Sequence, residues 1–114
     1  MNLPIDSKEF SNFIFQNNLF EKTLSLMNKF LENWFIEDKE RFIEEFNGDF
    51  TYVINTYTFE HGGVSFTKNF ESDDPPLDYI SVWIGIVDQD GSYLCTYTAF
   101  YDYNLNCIDD KVGV

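Results

Sequence analysis

The spacing of apolar residues changes once along this chain, near Gly48, and that change limits the fold more than any other feature. Before it, the spacing is helical. Phe10, Phe13 and Ile14 fall at i, i+3 and i+4, and Asp6, Ser7 and Glu9 ahead of them form a capping-box arrangement, which predicts a short helix to about Asn17. Asn17-Asn18 reads as a break. Phe20, Leu24, Met27, Leu31, Trp34 and Phe35 resume the series, and Phe42, Ile43 and Phe46 carry it to the stop signal Asn47-Gly48. Between Phe20 and Phe46 the chain forms either one long helix or two, with Asp38 capping the second.

Beyond Gly48 the period is two. Residues 50–59, dense in Thr, Tyr, Val, Ile and Phe, predict a strand. Glu60-His61-Gly62-Gly63 predicts a turn, and residues 64–70 alternate as the returning strand of a hairpin. An acidic loop from Glu71 to Asp78, stiffened by Pro75-Pro76, leads to residues 79–87, the most apolar strand and the expected centre of the sheet. Asp88 to Gly91 predicts a hairpin turn and residues 92–102 a fourth strand; Asn104-Leu105-Asn106 then turns into a short fifth around Cys107-Ile108. Grouped helices followed by grouped strands predict an α+β fold, with N-terminal helices on one face of a four- to five-stranded antiparallel meander sheet. The helical half is expected at about 6–47 and the sheet half at about 49–112.

A chain of 114 residues suits a single domain, and 44% hydrophobic with 19% aromatic residues argues against disorder. No stretch approaches the ~20 apolar residues of a membrane span. The segment MNLPIDSKEF lacks the basic and apolar regions of a signal peptide, so a cytoplasmic location is expected. Cys95 and Cys107 are then expected as reduced, semi-buried thiols.

Charge carries the functional argument. Twenty acidic side chains against seven basic ones give a net charge of −13. Roughly 2–8 charges suffice for the solubility of a small domain. The abundance of Phe, Asn, Ile and Tyr, with Ala99 the sole alanine, fits an AT-rich gene that should also enrich lysine, yet only six lysines and Arg41 occur. Basic residues therefore read as held low by function, which points to a basic partner. The acids are clustered. Glu37, Asp38, Glu40, Glu44 and Glu45 crowd the end of the helical half, and Asp73, Asp74 and Asp78 crowd the proline loop. Both groups are candidate partner contacts, and spread carboxylates of this kind imitate a phosphate backbone. Direct contact with nucleic acid is not expected, because the same charge repels phosphate.

Other chemistries are poorly supplied. Asp88-Gln89-Asp90-Gly91 resembles a piece of a calcium loop but lacks the later bidentate glutamate, so it reads as a turn. His61, the single histidine, reads as an exposed loop residue, and no nucleophile elbow or phosphate-cradling glycine loop is present. No enzyme activity, metal or cofactor is expected. The aromatic rows leave two alternatives. Tyr93, Cys95, Tyr97, Ala99 and Tyr101 share one face of the fourth strand, opposite Leu94, Thr96, Thr98 and Phe100. If the tyrosine face is core, it has no binding role. If the Phe and Leu face packs on the helices instead, Trp83, Tyr97 and Tyr101 become interface anchors.

In size, in the order of helices before a meander, and in the run YTAFYDYNLNCIDD from Tyr97 to Asp110, the chain resembles the small acidic immunity proteins of bacterial polymorphic-toxin and contact-dependent growth inhibition systems. The resemblance lies mainly in residues 79–110. It implies a cytosolic antidote, monomeric or weakly self-associating, that binds one cognate basic toxin, often a nuclease, and blocks its active site or substrate channel. Two alternatives stand beside it: an acidic nucleic-acid mimic of the phage anti-restriction or anti-CRISPR kind, and a cone-shaped α+β domain holding a small ligand in a curved sheet.

Overall fold

Local capping divides the first half into separate helices. The computed structural model describes residues 7–68 and 78–113. Helix α1 (Ser7–Gln16) ends before Asn18, whose left-handed backbone (φ 49°) turns the chain into α2 (Leu19–Glu37). Asp38 leaves helical geometry, and its carboxylate accepts the Arg41 amide at 3.3 Å, so it starts α3 (Lys39–Phe46) as a distinct helix. Asn47 (φ 54°) closes α3, in the conformation that asparagine adopts most readily after glycine. The choice between one helix and two is thus resolved as two. Asp6 lies outside the described residues.

The segment expected as the first strand is instead a fourth helix, α4 (Phe50–Thr56). The Asp49 carboxylate accepts the Tyr52 amide at 2.8 Å, and Thr56 donates its hydroxyl to the Tyr52 carbonyl at 2.6 Å. Val53 is fully buried, while Phe50, Tyr52, Ile54 and Tyr57 pack against the core. Strand propensity measures fit to a pleated surface, and a capped helix that buries the same side chains overrides it. The expected Glu60–Gly63 turn is also absent. Residues on both sides of it form one strand, β1 (Thr58–Lys68), with a register shift between His61 and Gly63. The two glycines serve Trp83 instead of a turn. A Cβ at Gly62 would lie 2.3 Å from Trp83 Cδ1, and one at Gly63 would lie 2.4 Å from Cζ2. The helical part therefore runs to Thr56, past the expected limit near 47.

Strands β2 (Asp78–Val87), β3 (Tyr93–Tyr101) and β4 (Cys107–Gly113) complete an antiparallel meander in the order β1-β2-β3-β4. The fold is α+β, as expected, with four strands. The β2–β3 turn closes as read from sequence: the Asp88 carboxylate accepts the Asp90 and Ser92 amides at 2.9 and 2.8 Å, and Gly91 (φ 84°) supplies the positive angle. Asp102 repeats the device between β3 and β4, accepting the Asn104 and Asn106 amides, each at 2.9 Å.

The helices cover one face of the sheet. Ile80, Val82, Ile84 and Ile86 of β2 and Cys95, Tyr97, Ala99 and Tyr101 of β3 are buried there, with Leu19, Met27, Leu31, Phe42, Phe46 and Val53 from the helices. Helix α2 lies over β2 and β3: the Thr23 and Tyr101 hydroxyls lie 2.8 Å apart, and the Phe30 ring meets Tyr97 edge-on at 5.6 Å. At the start of α2, Phe20 stacks on His61 at 4.7 Å, so the histidine belongs to a strand and not a loop. No helix among the described residues is long and apolar enough to cross a membrane.

Candidate functional site

The sheet register separates the three expected aromatic anchors. Tyr97 and Tyr101 have no exposed surface. They are core residues and not surface anchors, because their face of β3 lies under α2. The Tyr97 hydroxyl donates to the Asp110 carboxylate at 2.7 Å. Burial first, and then that carboxylate, push the Tyr97 phenol well above the usual tyrosine range. Trp83 stands opposite Thr98, so it shares the other face with Thr98 and Phe100. Among the described residues no helix covers that face. Tyr79 and Phe100 meet there edge-on at 5.6 Å, Tyr93 lies over Gly85, and Lys111 reaches 5.6 Å from the Phe100 ring centre.

The acidic residues divide differently. Glu37, Asp38, Glu40, Glu44 and Glu45 are all exposed on the elbow where α2 meets α3. Glu40 and Glu44 stand one helical turn apart, so their repulsion is not relieved by spacing. Ile36 and Ile43 lie in the same stretch and remain 70% and 38% exposed, which sets apolar surface among the carboxylates. Of the second expected group, Asp78 opens β2 and is not a loop residue, while Asp73 and Asp74 lie outside the described residues. Among the described residues no three His, Cys, Asp or Glu side chains converge as a metal site would require. The Asp88 carboxylate, the leading ligand of the calcium-like fragment, is occupied by its own turn.

Sequence reasoning missed the groove between α2 and β4. Leu26, Phe30 and Trp34 recur every four residues on α2 and face β4 across two depressions that share Trp34. One, of about 350 Å³, is bounded by Leu26, Lys29, Phe30, Glu37 and Asp110. The other, of about 320 Å³, is bounded by Arg41, Glu45, Phe46, Leu94, Cys95 and Val112. Glu37 and Glu45 of the acidic elbow are therefore also rim residues of the groove. The apolar series read from the sequence held Trp34 but not Leu26 or Phe30, and which side of α2 stays uncovered depends on tertiary packing.

The two thiols differ in environment. Cys95 is buried at the base of the groove, and desolvation, reinforced by the Glu45 charge, pushes its pKa to about 11. Cys107 is exposed at the start of β4. Compared with protein-family models, curated proteins and solved structures, the chain matches none.

Proposed function

We propose that this protein is an immunity-type inhibitor that binds a basic protein toxin, a nuclease domain being the class that fits best, and blocks its active site or substrate channel. The observation that carries the reading is the exposed row Glu37, Asp38, Glu40, Glu44 and Glu45 on one elbow of a chain with net charge −13. A nuclease holds its polyanionic substrate in a basic site, and a compact acidic surface competes for that site while accelerating encounter. Exposed Ile36 and Ile43 among the carboxylates suit a protein interface, which mixes an apolar centre with a polar rim. The protein acts by occupancy in the cytoplasm, without a cofactor.

The test is capture of the polypeptide encoded beside this gene by the tagged chain over a salt series, with nuclease activity and cell survival as readouts. Capture that abolishes toxicity and weakens with salt is the expected result, and the Glu40→Lys/Glu44→Lys pair slows association. No capture of that polypeptide, with recovery of a DNA-processing complex instead, replaces the reading with a nucleic-acid mimic.

A further inference from the structure

The outer strand β4 and the groove beside it adjoin one another. Among the described residues β4 pairs only with β3, on one of its two edges. Its regular ladder runs from Asp109 to Gly113, opposite Phe100 to Thr96, with Ile108 as an extra residue before it. Asp110 and Val112 stand opposite Ala99 and Tyr97, so they face the helix side and edge the groove. The groove borders β4 and not the other outer strand, β1.

The spacings of the two groove walls agree. Alternate residues of a strand advance about 6.6 Å, and a four-residue step along a helix advances about 6 Å. An extended segment added to β4 would thus place every second side chain against successive members of Leu26, Phe30 and Trp34. Its backbone would continue the ladder, as in strand-addition recognition.

We propose that the α2–β4 groove is a strand-addition site for an extended, lysine- or arginine-bearing segment of a protein partner. This rests on the inhibitor reading and names the surface it uses. Charge chooses the occupant. Glu37, Glu45 and Asp110 on the rim outnumber Lys29 and Arg41, while on the far face of β4 Asp109 is offset by Lys111. A second copy of this chain would join two bodies of charge −13, whereas a basic strand sets cations beside the rim carboxylates.

The test uses the full chain and a short synthetic peptide alternating lysine with valine and phenylalanine, against the same peptide with alternate backbone amides N-methylated. Amide hydrogen exchange and the Trp34 indole resonance are followed. The expected result is slowed exchange in β4, a shift of the Trp34 signal, and binding at least about tenfold weaker for the N-methylated peptide, which cannot form the ladder. Glu37→Lys should weaken the peptide more than Glu60→Lys, an equal charge change outside the groove. Equal binding of both peptides, equal effects of the two variants, or no slowing in β4 overturns the inference. The same exchange measurement on the complex with the neighbouring polypeptide separates the two proposals. Capture without β4 protection removes the strand-addition site and keeps the inhibitor. No capture removes the inhibitor, while the peptide result still decides whether the groove accepts a basic strand.

Discussion

The hydroxyls of Thr23 and Tyr101 are both fully buried, and they are not equivalent partners. Thr23 Oγ1 has one proton, and the Leu19 carbonyl stands 2.6 Å away as its acceptor. Tyr101 must then donate across the 2.8 Å contact. Burial raises the Tyr101 phenol, which keeps that proton in place near neutrality. Thr23→Val strands a buried donor in the core, and the desolvation penalty of such a group is about 1–3 kcal/mol. Tyr101→Phe leaves Thr23 still donating to Leu19 and removes only a net hydrogen bond, worth about 0.5–1.5 kcal/mol. The double variant replaces both hydroxyls with apolar groups of similar shape, so its cost should fall below the sum by at least about 0.5 kcal/mol. Urea unfolding of the four proteins, read as midpoint shifts at constant slope, gives each number. A larger cost for Tyr101→Phe than for Thr23→Val, or strict additivity, would refute the assignment of donor and acceptor.

Gly63→Ala should destabilise by about 1–3 kcal/mol, because its Cβ would lie 2.4 Å from Trp83 Cζ2 and the indole must leave its seat. Tryptophan emission should shift in the same variant, and unchanged emission and stability would contradict the close approach. Stability should fall at high pH. Cys95, Tyr97 and Tyr101 all have raised folded values, so the native state retains protons that the unfolded chain releases. Their contribution is present below the unfolded values and lost as pH rises through the folded ones. For Cys95 that window runs from 9.0 to about 11, and Cys95→Ala should flatten the fall there in a melting-temperature series. A thiol reagent at about pH 8 should modify Cys107 faster than Cys95, since only Cys107 is exposed, although partial desolvation holds its thiol above the usual range too. Equal rates would mean that the base of the groove is open to solvent.

Several boundaries were written locally and could be read without the fold. Asn17-Asn18, Asp38 and Asn47 end or begin helices through backbone angles and side-chain caps that involve residues within a few positions. The Asp88–Gly91 turn is likewise closed by its own atoms. The acidic elbow was legible for the same reason, since charged side chains on exposed helix faces need no partner to stay outside.

Elsewhere the local signal had two physical meanings, and packing chose between them. Residues 50–56 have strand propensity, but the Asp49 cap and the burial of Val53 select a helix. Gly62-Gly63 serves equally for a turn or for a close approach, and only the position of Trp83 shows which. Both faces of β3 carry large aromatic or aliphatic side chains, so alternation marked the faces without saying which one the helices cover. The register shift near Val87, with Leu94 as the additional residue on β3, then sets Trp83 opposite Thr98 and divides it from Tyr97 and Tyr101. The groove had no sequence signature at all, because it exists only where α2, placed over β2 and β3, stops short of β4. Caps and turns act over a few residues and are encoded there, whereas facing, register and uncovered edges arise from contacts between distant segments.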